Sequence, residues 1–378
     1  MKTKKPKVLI AISGGVDSSV AALLMKKKDY EIVGAFMKNY SDSKNEFGEC
    51  NWREERRVAI KIASMLDIPL ITLDFEKQYK KQVVEKMFEN YKRGKTPNPD
   101  IDCNQKIKFP LLIKAAEKIN ADFVVTGHYA RIKQNKKTKE YELLRGKDES
   151  KDQSYFLYRL SQKDLSKSLF PIGDYTKKQI REIARKNKFP NYDKKSTVGI
   201  CFIGKINLKK FLQKKIKPKK GKILNPQGEQ IGTHDGIYYY TIGQRIGPRF
   251  GIEIKKENNK KMDKWYVVKK DAKRNVIIAA PEGHKLNFRK EIFIENPHWI
   301  NPDEKPKNNS KILSRIRQVG ELLPSKVSLG GGKGERSAGG RGKYKITLNK
   351  PITGVSEGQA IVLYKNEKCL GGGEISFE

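Results

Sequence analysis

Two glycines, an aspartate and three serines fall together at Ser13 to Ser19, S-G-G-V-D-S-S, directly after an apolar run. Glycines at Gly14 and Gly15 would let successive backbone N–H groups converge on an anion at the start of the following helix, and Ser13, Ser18 and Ser19 add hydroxyl donors. No lysine follows, which excludes the G-x-x-x-x-G-K-[ST] loop that grips β and γ phosphates. As a plain strand-to-helix turn, the stretch would need Asp17 only as a cap. A second group with chemical potential is T-P-N-P-D-I-D-C-N, Thr96 to Asn104. Its two prolines predict an extended loop, with Cys103 just ahead of a helix N-terminus and close to Lys106 and Lys108. Such a setting favours a thiolate, Asp102 opposes it, and Asp100 could serve as general acid or base beside the thiol. A third is S-T-V-G-I-C-F-I-G, Ser196 to Gly204, which carries Cys201 in a short apolar run. Taken alone, either cysteine also reads as an inert buried hydrophobe.

These groups need elements to position them. Apolar runs at Val8 to Ile12, Ile32 to Phe36, Leu70 to Asp74 and Phe123 to Thr126 alternate with amphipathic stretches at Val20 to Lys28, Glu54 to Leu66, Lys77 to Tyr91 and Lys108 to Ile119. Strands separated by helices predict crossovers and a doubly wound parallel α/β sheet, with ligands at the carboxyl ends of the strands. Ser13 to Ser19, Met37 and T-G-H at Thr126 to His128 then fall at that edge; Met37 alone reads as an ordinary core methionine. After about Lys209 the pattern turns to short β-like runs with turn signals at Asn225 to Gly228 and Thr233 to Gly236, which predicts a small β-rich middle domain. A boundary at Pro281 to His284 precedes runs at Glu291 to Glu295, Lys311 to Gln318, Tyr344 to Leu348 and Ala360 to Tyr364, spaced as in a small β-barrel. Domains are expected over 1–208, 209–282 and 283–378. The glycine-rich, basic segment Gly330 to Gly342 reads as a flexible hairpin connection or a loose phosphate-binding tether.

A formal charge of +37, from 80 basic and 43 acidic residues in 378, would attract a polyanion, although lysines spread along the chain could also be merely compositional. No apolar run approaches membrane-spanning length and no signal segment precedes the first strand, so a soluble cytoplasmic protein is expected, with no membrane partner. Cys50, Cys103, Cys201 and Cys369 form no C-x-x-C pair and only four histidines are present, so no metal site is expected from protein ligands. Cys50 and Cys369 are read as structural thiols.

The opening turn resembles the S-G-G-x-D-S loop of the ATP pyrophosphatases, which cleave ATP between the α and β phosphates and adenylate an oxygen. Further stretches narrow the resemblance: N-P-D-I-D-C-N, T-G-H-Y-A at Thr126 to Ala130, K-D-Q-S-Y-F-L at Lys151 to Leu157, G-I-C-F-I-G, Y-T-I-G-Q-R at Tyr240 to Arg245 and C-L-G-G-G at Cys369 to Gly373. In this order they are similar to the tRNA-specific 2-thiouridylases, nearly end to end. The resemblance implies ATP contacts at Ala11, Ile12, Ser13, Gly14, Gly15, Val16, Asp17, Ser18, Met37 and Gly127. It implies a target-base site at Asn98, Pro99 and Asp100, a nucleophile at Cys103 and a persulfide carrier at Cys201. Positions matching tRNA contacts are His128, Lys151, Asp152, Gln153, Arg315, Ile316 and Gln359. The position of Asp102 is usually apolar in the family, which bears on the thiol beside it.

The reaction so implied uses ATP and Mg2+ to adenylate the C2 oxygen of the wobble uridine in tRNA. Sulfur from a persulfide donor, a cysteine desulfurase or a relay protein, then replaces it. A base in a folded anticodon loop must be splayed out to be reached, which gives the β domains and positive surface a purpose. Two other readings share parts of the pattern: a small-molecule ligase with the same ATP loop, and a non-catalytic RNA-binding protein on a relic nucleotide fold.

Overall fold

The computed structural model describes residues 5–41, 51–195, 199–203, 207–247, 264–318, 320–330 and 343–377. Cys50 and residues 331–342 of the glycine-rich segment lie outside them.

Strands β1 (Lys7–Ala11), β2 (Glu31–Lys38), β3 (Leu70–Asp74) and β4 (Phe123–Val125) are followed by a hairpin of β5 (Ala130–Gln134) and β6 (Tyr141–Arg145), then by the short β7 (Ser168–Leu169). The first sheet has the order β3-β2-β1-β4-β7 with every pair parallel, as expected for a doubly wound α/β fold. Val8, Leu9 and Ile10 at its centre are fully buried, because helices cover both faces. Leu9 belongs to one core and Val8 and Ile10 to another, as alternation across a strand requires.

The Thr96–Asn104 stretch differs from the extended loop expected. Pro99 opens a helix at Pro99–Cys103, which passes through a π-helical turn at Asn104–Lys108 into a further helix at Phe109–Lys118. Proline lacks only an N–H that the first helical turn leaves unpaired anyway, and its φ suits that position. Cys103 therefore lies within a helix, with no claim on the charge of a helix N-terminus.

The middle domain is a sheet of order β10-β11-β12-β8-β9, built from β8 (Gly221–Leu224), β9 (Gln230–His234), β10 (Arg245–Ile246), β11 (Trp265–Asp271) and β12 (Val276–Pro281). The last domain comprises β13 (Phe288–Trp299), β14 (Lys311–Arg315), β15 (Leu323–Gly330), β16 (Lys343–Thr353), β17 (Ala360–Lys365) and β18 (Lys368–Ser376). Their order β13-β16-β15-β14-β17-β18, with β13 also paired to β18, closes an antiparallel barrel. The β5–β6 hairpin leaves the first sheet and pairs with β18 at Lys368 and Cys369, so the first domain and the barrel share one hydrogen-bonded sheet.

A buried ion pair reinforces that junction. Arg315 Nη1 donates to Asp152 Oδ2 at 2.6 Å, with both side chains almost wholly out of solvent. Arg315 was expected to face outward toward tRNA. It faces inward because the 146–154 turn presents Asp152, whose Oδ1 also accepts from the N–H groups of Gly146 and Ser154. Without Arg315 the buried Asp152 keeps as its ion pair only the longer contact to Arg145 Nε, at 3.5 Å, so Arg315→Met should destabilise the fold by about 3 kcal/mol and lower the unfolding midpoint. Arg317→Met, at an exposed position, should move it little.

Candidate active site: the nucleotide loop and the thiol pair

Of the two loop glycines, only Gly14 needs to be glycine by conformation. Its φ is +76°, and a Cβ there would sit 2.4 Å from the Glu55 carbonyl oxygen. Gly15 has φ −87° and ψ 155°, which any residue can adopt, and it serves as N-cap of the helix Val16–Lys27. The serines also divide. Ser18 Oγ donates to the Gly15 carbonyl at 3.0 Å and accepts from Ser13 N–H at 3.2 Å, while Ser19 Oγ donates to the same carbonyl at 3.0 Å. Both hydroxyls brace the turn from inside, correcting the expectation that they would be turned toward an anion. Ser13 is exposed, and Gly15 and Asp17 are half-buried.

Distant residues complete this cradle. Asn191 Nδ2 donates to the Gly14 carbonyl and to Ser19 Oγ, both at 3.0 Å. Asp17 Oδ1 accepts from Tyr129 Oη at 2.8 Å and from Lys177 Nζ at 2.6 Å. Lys177 is the first residue of the helix Lys177–Lys186, whose start is fixed by a Thr176/Gln179 capping box. Thus the fold brings a cation to a loop that has none nearby in sequence. Gly127, after β4, packs so closely that a Cβ would lie 2.7 Å from Ser18 N and 2.8 Å from Asp17 C. The tight turn, its N–H donors and an accessible carboxylate suit a polyphosphate; Asp17 is the loop's one carboxylate for a magnesium ion, which typically takes only one or two carboxylates beside phosphate oxygens. Among the described residues there is no group of three or more His, Cys, Asp or Glu placed to hold a metal by themselves. Met37 is buried at the end of β2, at the same carboxyl edge.

The two candidate thiols meet although far apart in the chain. Cys103 is fully buried and Cys201 is partly exposed, both are free, and they are close enough for each thiol to shift the ionisation of the other. Asp100 Oδ1 accepts from Cys201 N–H at 2.8 Å, and Tyr79 Oη donates to the Cys201 carbonyl at 2.5 Å. The turn is strained: Phe202 has φ +64°, rare for an aromatic residue, and its ring packs edge-on against Tyr79. Burial pushes the Cys103 thiol up, with the Cys201 and Asp100 charges acting in the same direction. The hydrogen bond from Cys103 pulls the Cys201 thiol down, aided by Lys108 against the cost of burial. The two thiols are thus pushed in opposite directions, Cys103 up by burial and Cys201 down by its neighbour. Burial raises the Asp100 carboxyl, only partly offset by the Cys201 N–H and Lys108.

Asp102 does not act on this pair as its sequence position suggested. Its carboxylate turns to Lys86 at 2.8 Å and Lys106 at 3.6 Å, within a network that reaches Glu374 of β18. The preceding backbone is fixed from two other domains. Thr96 N–H donates to the Glu357 carbonyl at 2.8 Å, and Gln359 Nε2 donates to the carbonyls of Thr96 and Pro97 at 3.1 and 3.2 Å. Thr96 Oγ1 lies 3.4 Å from Thr241 Oγ1 of the middle domain.

Asn98, Pro99 and Asp100 remain partly exposed beside this junction, as do Lys151, Gln153 and Gln359. His128, Asp152, Arg315 and Ile316 are buried. His128 stacks on Phe109 and meets Phe170 edge-on, and the Ile316 carbonyl accepts from Tyr155 Oη at 3.2 Å. These four were expected as tRNA contacts; the inter-domain ion pair takes Asp152 and Arg315 out of solvent, the ring stack of the first domain encloses His128, and the barrel core takes in Ile316. Cys369 is buried in β18, where burial raises its thiol.

The profile described as tRNA methyl transferase HUP domain matches residues 6–205, the tRNA methyl transferase PRC-barrel domain matches 209–281, and the aminomethyltransferase beta-barrel domain matches 289–375. A tRNA-specific 2-thiouridylase of Geobacillus kaustophilus is 40% identical over 370 residues, covering 97% of this chain and 95% of the relative. The chain belongs to the tRNA-specific 2-thiouridylase family. The 2-thiouridylase of Bacillus pumilus is 38% identical, covering 99% of this chain and 96% of its own, and that of Bacillus subtilis 37%, covering 98% and 94%. The residues of the site that sequence spacing could not reveal are Lys177, Asn191 and Tyr79. Lys177 stands 160 positions from the Asp17 it touches. Among the described residues, no helix is long and apolar enough to cross a membrane.

Proposed function

We propose that this protein converts the wobble uridine of tRNA to 2-thiouridine, using ATP to activate the C2 oxygen and a persulfide on Cys201 as the sulfur source. The observation that carries the reading is the thiol pair: a partly exposed Cys201 against a fully buried Cys103, with Cys201 joined through Asp100 to the segment that would take the base. A nucleotide loop is tied to the same place, since Gly127 touches that loop and the next residue, His128, faces Lys108 beside the thiols.

Adenylation supplies a leaving group, because a bare carbonyl oxygen departs poorly and AMP departs readily. Ser13, Gly14 and Gly15 would bind and orient the phosphates, with Asp17 available to Mg2+. Asn98, Pro99 and Asp100 hold the splayed uracil. Cys201 accepts the sulfane sulfur of a donor persulfide, whose own sulfur leaves as a thiolate. Cys103 then gives its proton to Asp100 and attacks Cys201 Sγ. The sulfur–sulfur bond breaks, and its electron pair goes to the terminal sulfur, either before or after that sulfur has bonded to C2. AMP leaves with the C2–O pair, and the two cysteines end as a disulfide that an external thiol must reduce.

Pyrophosphate release measured with and without tRNA tests the class. Release that requires unmodified tRNA is expected; release without tRNA would favour a small-molecule ligase, and none under any condition would favour a non-catalytic RNA binder. Affinity for tRNA should also fall at least about tenfold as salt rises from about 50 to about 200 mM, because phosphate contacts release counterions. A flat response in a binding titration would mean the charge of +37 is compositional.

A further inference from the structure

We infer that Lys108 is the fixed cation of the sulfur-transfer step: its ammonium, held by a neutral His128 ring, faces the Cys103–Cys201 pair and balances the negative charge that moves between the two sulfurs. The inference rests on the thiol roles proposed above.

The placement begins in the backbone. Residues Asn104–Lys108 form a π-helical turn, closed by a bond from Phe109 N–H back to the Asn104 carbonyl. A turn of that width has more residues than an α-helical one, so the side chain five places on returns to nearly the same face. Cys103 and Lys108 are separated by that interval. In a regular α-helix the lysine would have rotated away from the thiol.

Its far end is then held on two sides. Lys108 Nζ lies 3.3 Å from His128 Nε2, and 5.8 Å from the centre of the Phe202 ring next to Cys201. An ammonium can only donate, so Nε2 must be the accepting nitrogen and Nδ1 carries the hydrogen toward Thr126 Oγ1 at 2.7 Å. Burial first and the Lys108 charge second push His128 well below the usual imidazole range. The ring is therefore a fixed neutral acceptor, which explains why a histidine is enclosed by Phe109 and Phe170.

The groups that face this cation are Asp100, Cys103, Cys201 and His128, with Tyr79 behind the Cys201 carbonyl. The Lys108 charge favours the anionic form of Asp100 and of both thiols. Charge sits first on Cys201, next on Cys103 as it attacks, and finally on the departing sulfur. An ammonium acting on all three positions keeps each from being an uncompensated buried anion, which is costly in such a site. Lys108 acts through the charge it places near the two sulfurs, so it is a positioning residue.

The test is the pH profile of Cys201 alkylation by iodoacetamide in the full chain, read by peptide mass spectrometry. Lys108→Met should move the half-maximal rate upward by about one pH unit, slowing alkylation at pH 7 roughly tenfold, because the thiolate loses a nearby opposite charge. Lys108→Arg, which keeps the charge, should restore most of the rate. His128→Gln, which loosens the hold on Lys108, should give a smaller shift in the same direction and serves if Lys108→Met does not fold. A Lys108→Met or His128→Gln protein that folds normally, by near-ultraviolet circular dichroism, and keeps the wild-type profile overturns the inference. The readout needs no tRNA or ATP, so a protein that proved unable to make 2-thiouridine would leave this result standing.

Discussion

A Cys201→Ser protein is expected to take up no sulfane sulfur and to make no 2-thiouridine, whereas Cys103→Ser should load sulfur on Cys201 and then stall. Both should lose at least about a thousandfold in thiolation, since each removes one member of a unit whose parts act together. What separates them is the label left behind. Cys201 is the partly exposed thiol, so a donor meets it before the buried Cys103. Wild-type protein should accumulate a Cys103–Cys201 disulfide during turnover and stop without reductant. Peptide mass spectrometry after exposure to labelled donor reads all of this. Label on Cys103 and none on Cys201 would invert the roles, and label on Cys50 or Cys369 alone would show the wrong pair.

Gly127→Val should abolish ATP-dependent pyrophosphate release while leaving tRNA affinity within about twofold, for a reason that is steric. No side chain fits at Gly127, where even a Cβ would come within 2.8 Å of two backbone atoms of the nucleotide loop. The loop must shift, and a displacement near 1 Å of a positioned group costs on the order of a hundredfold in rate. Gly14→Ala should behave alike, because its φ of +76° and the nearby Glu55 carbonyl both reject a Cβ. Gly15→Ala, with φ −87° and its nearest neighbour at 3.4 Å, is the contrasting variant and should retain most of the release. Equal loss at all three positions would mean that the loop fails for lack of glycine flexibility, and no loss at Gly127 or Gly14 would remove the loop from the reaction. Pyrophosphate release and filter-binding titrations check both halves.

What was legible in the sequence follows from how far each signal reaches along the chain. The parallel sheet was readable because strands covered on both faces must be continuously apolar, as Val8 to Ile10 are. The Pro99 helix start was misread because proline stops a helix from within and opens one equally well at its first position. Asp102 looked like a threat to Cys103 only because Lys86, sixteen positions away, was not visible as its partner. Arg315 and Asp152 carry charge that suggests a surface; they are buried because they pair across a domain boundary, 163 residues apart, with Arg145 also facing Asp152. The Asp100 contact with Cys201 spans 101 residues and leaves no periodicity that spacing could reveal. Motif resemblance supplied the pairing of the thiols, and the fold supplied Lys108 as their common cation, through a π-helical turn that side-chain spacing alone does not announce.

The most direct measurement is nucleoside mass spectrometry of unmodified tRNA incubated with this protein, ATP and a persulfide donor. Conversion of uridine to 2-thiouridine at the wobble position is predicted, only when protein, ATP and donor are all present, and with AMP and pyrophosphate formed in step with the new base. A tRNA that stays unmodified while the protein is folded, loaded with sulfur on Cys201 and binding both ATP and tRNA would contradict the assignment.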